Sequence, residues 1–292
     1  MSDHDLKPLI EALSQGELVP YLGPGALSGV VDVNTAEPIP ADSDSLILAM
    51  NNGRPMAPRL MWEFSRAAMN VELKRGRGAV VRFLTHTYAG RTWTPAPLHA
   101  WLARMRVPYI IDINRDTQLQ AAYSDRCHLL VRGVARLGGG PERFRLHWWD
   151  GARYQETNQE AVAAEWPILL KPMGSPWPDP CYVASDADYV DYITELMGGF
   201  AIPRRIKSYR QGRRYLLLGL RLTRDTERMV LADLIHDAGH PAGWALIREP
   251  TDKERRFCER HGLEIVAADI PDLLAAADLD SQPYRPEAST GC

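Results

Sequence analysis

Leu18-Val-Pro-Tyr-Leu-Gly-Pro-Gly-Ala26 is an apolar run that breaks into glycine, and two later segments break in a similar way. They are Pro108-Tyr-Ile-Ile-Asp-Ile-Asn-Arg-Asp116 and Ile168-Leu-Leu-Lys-Pro-Met-Gly-Ser175. In an open α/β sheet, ligands bind outside the carboxyl ends of the strands. The three segments therefore predict a parallel sheet with a dinucleotide pocket. The residues expected to converge there are Gly23, Pro24, Gly25, Asn114, Asp116, Met173, Gly174 and Ser175.

The composition is that of an ordinary globular protein. The chain has 292 residues, of which 45% are hydrophobic and 24% are charged, enough for a substantial core in one or two domains. A net charge of -3 argues against nucleic acid and anionic membranes as partners. No apolar run approaches the roughly 20 residues of a membrane span, and residues 1–7 lack the apolar core of a signal peptide. We therefore expect a cytoplasmic protein.

Predicted strands and helices alternate along the chain, which is typical of βαβ units in a parallel sheet. Strands are predicted at 18–22, 109–113, 168–171, 215–220, 244–248 and 263–266, and further strands at 129–134 and 143–149 flank a turn at 138–141. Helices are predicted at 5–15, 58–73, 78–88, 97–105, 186–197, 225–236 and 252–261. The predicted fold class is α/β with a Rossmann-like sheet.

We treat residues 1–280 as one domain with two insertions. Residues 31–58 are rich in Pro, Asp, Asn and Ser, which predicts a long irregular loop that could serve as a lid. Residues 59–106 are predicted to form a helical insertion, a small cap. Residues 281–292 are expected to form a polar tail.

The order and spacing of four segments resemble the sirtuin-like family (the silent information regulator fold), in particular its bacterial branch without a zinc module. The glycine segment resembles the family's Phe-Leu-Gly-Ala-Gly-Ala-Ser, and Ile113-Asn-Arg-Asp116 resembles Thr-Asn-Tyr-Asp. Residues 168–192 resemble a Leu-Lys-Leu-His-Gly-Ser segment followed by an Asp-Tyr helix. Residues 216–225 resemble a Gly-Tyr-Ser-Leu-x-Asp strand and turn.

The resemblance implies a site for NAD or a derivative such as ADP-ribose, with no metal. In the family the Asn orients the nicotinamide ribose and a water molecule, and the His accepts a proton. The resemblance assigns catalytic positions to Asn114 and Asp116. The candidate nucleotide-binding residues are Gly23, Pro24, Gly25, Ala26, Ser28, Asn114, Met173, Gly174, Ser175, Gly219 and Arg221.

The departures from the family pattern concern catalysis. Met173 occupies the position of the catalytic His, and a thioether does not accept a proton at neutral pH. A positioned general base is worth about 10² to 10⁴ in rate, so the usual reaction should be badly impaired. The serine expected after the glycine segment is displaced to Ser28, with Leu27 intervening. Arg221 takes the place of the serine expected after Gly219. Pro24 removes a backbone donor from the glycine turn.

Three other features of the sequence offer alternatives to this interpretation. His236-Asp-Ala-Gly-His240 is superficially similar to a zinc-binding His-Glu-x-x-His, but Gly239 and Pro241 predict that the helix ends inside it. His147, in His-Trp-Trp-Asp, could supply a substitute base, although such a Trp pair is more often packing. The basic stretch 204–214 suits a solvated helix face, or contact with an acidic partner.

Three functions follow from these residues. The first is a nucleotide-binding sensor or scaffold with little or no hydrolysis of NAD. The second is an active NAD glycohydrolase of the bacterial-defence type, with His147 or another group as the base. The third is a nucleotide-independent interaction module that binds a protein partner through the 31–58 loop or the basic stretch. The Trp and Tyr content is in addition compatible with a homo-oligomer interface.

Overall fold

A computed structural model of the chain describes residues 6–136, 142–159 and 165–279. The turn predicted at 138–141 and the polar tail predicted at 281–292 lie outside these ranges.

The described residues alternate between helices and strands. The helices are Lys7–Ser14 (α1), Ser43–Met50 (α2), Pro58–Met61 (α3), Phe64–Arg75 (α4), Arg77–Ala89 (α5), Pro97–Arg104 (α6), Gln118–Ala122 (α7), Asp186–Met197 (α8), Arg204–Tyr209 (α9), Asp225–Leu234 (α10), Asp252–Arg260 (α11) and Ile270–Leu279 (α12), with a 3₁₀ turn at Pro24–Leu27. The strands are Leu18–Leu22 (β1), Tyr109–Asp112 (β2), His128–Gly133 (β3), Phe144–Trp149 (β4), Tyr154–Thr157 (β5), Ile168–Lys171 (β6), Gly174–Ser175 (β7), Cys181–Tyr182 (β8), Arg214–Leu218 (β9), Gly243–Leu246 (β10) and Leu263–Val266 (β11).

Nine of these strands form one sheet in the order β11-β10-β9-β1-β2-β6-β3-β4-β5. The pairs from β11 to β3 are parallel, and β4 and β5 add an antiparallel edge. The chain enters at β1 in the middle, extends the sheet on one side through β2 and β6, and then crosses to β9 on the other side. The α/β Rossmann-like class is thus confirmed, and the change of direction at β1 places a switch point beside the glycine turn.

Each face of the sheet buries its own set of apolar side chains. One core includes Tyr21, Ile111 and Leu170 and packs under α8, α10 and α11. The opposite core includes Leu22 and Ile110 and packs under α1, α6 and α12. Because successive side chains of a strand point to opposite faces, the fully buried strands β1, β2 and β6 read as continuous apolar runs.

A third core belongs to a helical cap. It is formed by α2, α4 and α5 and includes Ile47, Ala68 and Leu84. Two predictions for this part of the chain need correction. The 31–58 loop contains α2, whose first turn is capped by the Asp42 carboxylate through hydrogen bonds from the backbone of Asp44 and Ser45. The last helix of the predicted 59–106 insertion, α6, packs on the sheet, so the cap helices end at Ala89.

Candidate functional site

The glycine turn after β1 is packed directly against the turn after β9. The N–H of Gly23 donates to the Leu218 carbonyl at 2.9 Å, and that of Gly25 donates to the Gly219 carbonyl at 2.8 Å. A Cβ at Gly25 would lie 2.8 Å from the Gly219 Cα, and Gly219 itself has a φ of +68°. The close approach of two backbones, together with a left-handed φ, accounts for both glycines.

The same packing uses the N–H groups of the turn within the protein. Beyond the bonds of Gly23 and Gly25, Ala26 donates to the Gly23 carbonyl at 3.0 Å and Ser28 to the Gly25 carbonyl at 3.1 Å. Pro24 has no N–H to donate. Phosphate groups of a nucleotide would therefore need other donors than these.

Asn114 follows β2 and is 5% exposed. Its Nδ2 donates to the Gly23 carbonyl at 2.9 Å and to Oδ1 of Asp112 at 2.9 Å. A side-chain amide has two N–H donors, so both are used within the protein. Oδ1 is the atom that Asn114 can offer to a ligand.

An ion pair at the ends of β2 and β6 fixes the carboxylate that accepts the hydrogen bond from Asn114. Nζ of Lys171 lies 2.6 Å from Oδ2 of Asp112, and both side chains are 0% exposed. Nε2 of His99 lies 3.6 Å from the same oxygen. Burial by itself would raise the pKa of Asp112, but the Lys171 ammonium and the His99 ring lower it below its ordinary value. Asp112 is thus a fixed anion whose other oxygen orients Asn114.

Two adjoining cavities lie beside Asn114 and the glycine turn. The smaller has a volume of about 50 Å³ and is enclosed by residues of β1, the cap, α10 and the loops after β2 and β6, Asn114 and Met173 among them. The larger is a cleft of about 930 Å³ at the carboxyl ends of β1, β9 and β10. That volume lies within the usual range of ligand pockets, about 300 to 1,000 Å³. The residues that line both are Pro24, Ala41, Ser43, Arg224 and Glu227.

The structure brings part of the predicted site together in these cavities. Asn114 and Met173 line the small cavity, and Pro24 lines both. The predicted residues that line the cleft are Gly25, Ser28, Gly219 and Arg221. The predicted residues that line neither cavity are Gly23, Ala26, Asp116, His147, Gly174 and Ser175.

Local packing explains several residues of this last group. Gly174 has a φ of +77°, and a Cβ there would lie 2.1 Å from the Cys181 carbonyl oxygen. The Ser175 hydroxyl donates to the Trp177 carbonyl at 2.8 Å. Asp116 accepts a hydrogen bond from the backbone N–H of Gln118 at 2.6 Å, in the first turn of α7.

The comparison with protein families bears on residues 108–266, which match the family model described as the SIR2-like domain. The match covers more than half of the chain and spans the segments that carry Asn114, Met173 and Gly219. This chain belongs to the SIR2-like domain family. No curated protein matches the chain. The resemblance drawn from the four sequence segments is confirmed at the level of the family.

In this SIR2-like protein His147 lies on β4, beyond β6 and β3 from the strand that carries Asn114. Its Nε2 is 3.5 Å from the buried Arg132 guanidinium and 3.9 Å from a carboxylate oxygen of Asp179. Burial and the Arg132 charge lower the pKa of His147 to about 4. The imidazole is therefore neutral at pH 7 and distant along the sheet from Asn114.

Sequence reasoning missed two carboxyl groups of the site, Glu63 and Glu227. Glu63 precedes α4, and its Oε1 accepts hydrogen bonds from the backbone N–H and the hydroxyl of Thr226, at 3.2 and 2.5 Å. Glu227 lies one residue further along α10 and lines both cavities. Burial, with the charge of Glu63, raises the pKa of Glu227 to about 7. Neither residue carries a local motif, because the cap and α10 meet only in the folded chain.

The three arginines that line the cleft each form an ion pair with an acidic side chain. Each guanidinium lies within 4.0 Å of a carboxylate oxygen: Arg221 with Glu254 at 3.5 Å, Arg224 with Asp44 at 3.3 Å and Arg248 with Asp269 at 2.9 Å. The side chain of Arg221 is 69% exposed, so its remaining N–H groups face solvent at the cleft. It stands where the resemblance expects a serine.

Within the described ranges no three His, Cys, Asp or Glu side chains are grouped to hold a metal ion. His236 and His240 both follow α10, which ends at Leu234, so they do not share a helical face. In the same ranges no helix is long and apolar enough to cross a bilayer.

Proposed function

We propose that this SIR2-like protein binds NAD or an NAD-derived nucleotide of the ADP-ribose class and hydrolyses it slowly or not at all. The observation that carries the proposal is the pair of adjoining cavities at the switch point of the sheet. Asn114 lines the small cavity, and the glycine turn lies beside the cleft. A crevice of this kind is where doubly wound sheets bind nucleotides.

The residues present fit some parts of such a nucleotide better than others. In the small cavity Oδ1 of Asn114 is available, and the Tyr21 hydroxyl is buried without a hydrogen-bond partner among the described residues. These groups suit ribose hydroxyls or a carboxamide. The pyrophosphate would depend on the arginines of the cleft, Arg221 first, because charge-assisted hydrogen bonds from a guanidinium replace those that the glycine turn does not offer.

The proposal of slow hydrolysis rests on Met173. Its side chain lines the cavity beside Asn114, where the resemblance places the imidazole that accepts a proton. Loss of a general base lowers the rate by about 10² to 10⁴. Met173 is not a base and His147 lies in neither cavity, so neither residue compensates for this loss.

An active NAD glycohydrolase is the second candidate, and one observation favours it. A carboxyl with a pKa near 7 is poised to exchange a proton at neutral pH, and Glu227 lines the same cavity as Asn114. In that case nicotinamide release should require both Asn114 and Glu227, and it should survive the change His147→Ala.

A thermal-shift titration with NAD, ADP-ribose and nicotinamide tests the proposal, with nicotinamide release assayed in the same tubes. A ligand at about 100 times its dissociation constant should add roughly 2.7 kcal/mol of stability. The shift should be lost in Asn114→Ala and kept in Asn34→Ala, which removes an exposed amide outside both cavities.

Each outcome separates the three functions. Stabilisation without nicotinamide release supports the proposal. Stabilisation with release that depends on Asn114 supports the glycohydrolase. The absence of any shift with all three ligands contradicts both and favours a nucleotide-independent interaction module.

A further inference from the structure

Glu227 is the acidic side chain that links the two cavities. It lies in the first turn of α10 and lines the small cavity together with Asn114 and the cleft together with Gly219. Within the described part of the chain its carboxyl group forms neither a hydrogen bond nor an ion pair with another residue. Its oxygens are therefore available to a molecule that extends from one cavity into the other.

Three of the groups that face Glu227 form hydrogen bonds with other residues, whereas the Tyr21 hydroxyl has no partner among the described residues. The guanidinium of Arg115 donates to the Val183 carbonyl at 2.7 Å and to the Tyr189 hydroxyl at 3.1 Å. Glu63 accepts a hydrogen bond from the Thr226 hydroxyl in the first turn of α10. The guanidinium of Arg224 donates to the Trp62 carbonyl and to Asp44. The charged and titratable groups that interact electrostatically with the carboxyl include Tyr21, Asp42, Glu63, Arg115, Tyr189 and Arg224.

This arrangement selects the kind of group that Glu227 could bind. A phosphate at this point would meet the carboxyl groups of Glu227 and Glu63, which disfavour an anion, while the guanidinium groups of Arg115 and Arg224 donate to other residues. A neutral hydroxyl donor therefore suits Glu227 better than a phosphate does. A carboxylate is an acceptor for hydroxyl donors, and its two oxygens match two neighbouring hydroxyls. Acidic side chains bind the hydroxyls of nucleotide riboses in just this way in doubly wound folds.

We propose that Glu227 binds the vicinal hydroxyls of the terminal ribose of an ADP-ribose-type ligand, at the junction of the small cavity and the cleft. The inference rests on the proposed function, because it needs the adenosine and diphosphate in the cleft. It adds a selection rule: the site prefers nucleotides with a free second ribose to those that end at the diphosphate.

A pH dependence follows from the same contact. The raised pKa of Glu227, about 7, leaves the group roughly half ionised at neutral pH. A diol that binds the ionised form alone has its apparent affinity reduced by the fraction in that form. Between about pH 6 and about pH 8 that fraction rises about tenfold, and the affinity for ADP-ribose should rise with it. The pyrophosphate of ADP-ribose stays ionised over this range, so the ligand itself adds no slope.

Titration calorimetry with the full chain tests the proposal, using ADP-ribose at both pH values and ADP at about pH 8. ADP-ribose should bind about tenfold more tightly at the higher pH to the wild type and to the control Glu259→Gln, an exposed change on α11 outside both cavities. In Glu227→Gln the ratio should fall to about one, with the affinity for ADP unchanged. In the wild type at about pH 7, binding should release about half a proton, measured in buffers of different ionisation enthalpy.

The outcomes distinguish this inference from the function on which it rests. Equal pH ratios in the wild type and Glu227→Gln, or no proton release by the wild type, overturn the role of Glu227 and leave nucleotide binding intact. Failure of ADP-ribose to bind the wild type at either pH overturns both. The absence of proton release overturns the role of Glu227 even if Glu227→Gln fails to fold, because this measurement needs no variant.

Discussion

Replacement of Lys171 by methionine should strongly destabilise this SIR2-like protein, because it leaves the Asp112 carboxylate buried without its cation. Both side chains are 0% exposed and their charged atoms are 2.6 Å apart. The nearest other titratable partner, Nε2 of His99, is 3.6 Å from the carboxylate. Methionine fills a volume similar to the lysine stem, so packing alone does not account for the expected loss.

Protonation of Asp112 limits the cost of leaving its charge buried. The variant can avoid a buried charge if Asp112 binds a proton, and the ordinary pKa of aspartate is near 3.8. Protonating such a group at pH 7 costs about 4 kcal/mol, within the range of about 3 to 5 kcal/mol for breaking a buried ion pair. The cost falls by about 1.4 kcal/mol for each pH unit below 7, because the proton becomes easier to supply.

Urea unfolding at about pH 7 and about pH 5.5 measures the effect. We expect Lys171→Met to lose about 3 to 4 kcal/mol at the higher pH and about 2 kcal/mol less at the lower. The double change Asp112→Asn with Lys171→Met should recover most of the loss, since no charge remains to be buried. Lys253→Met serves as the control, because this lysine is 44% exposed and pairs with Asp225 at the surface.

A loss below about 1 kcal/mol at pH 7, or one that does not change with pH, would refute the reasoning. The same conclusion would follow if the double variant were no more stable than the single one. Either result would mean that water or a rearranged neighbour solvates Asp112, and that Lys171 is not needed to fix the carboxylate beside Asn114.

Three further predictions concern the residues around the cavities. Glu227 keeps a proton in the folded protein that the unfolded chain releases near pH 4.5, so the wild type should lose about 2 to 3 kcal/mol as pH rises to about 7; urea unfolding of Glu227→Gln should lack this slope. Gly25→Ala should cost about 1 to 3 kcal/mol in thermal unfolding, because its Cβ would meet backbone at 2.8 Å, whereas Gly78→Ala in α5 should be neutral or stabilising. Met173→His should produce nicotinamide release from NAD that Asn114→Ala abolishes; no release would show that more than the base is missing.

The central strands β1, β2, β3 and β6 could be predicted because they are fully buried and read as short, mostly apolar runs. The prediction for 168–171 has the bounds of β6 in the structure, and that for α8 is supported by a capping box between Ser185 and Asp188. Elements without such local signals were missed. β7 and β8 have two residues each, and β5 is a half-exposed edge strand whose pattern does not alternate.

By itself the sequence determined the α/β order, the family, and the positions of Gly23 and Asn114 just after strands, because these depend on neighbours along the chain. The strand predicted at 215–220 ran past Gly219, whereas β9 ends at Leu218. Only the tertiary structure decided what those ends can bind. The N–H groups of Gly23 and Gly25 donate to the carbonyls of Leu218 and Gly219, at the end of a strand far away in the chain. Glu63 likewise meets Thr226 across 163 residues. Burial and the nearby charge of Glu63 together raise the pKa of Glu227. No local sequence pattern encodes this shift, because Glu63 and Glu227 come together only in the folded chain.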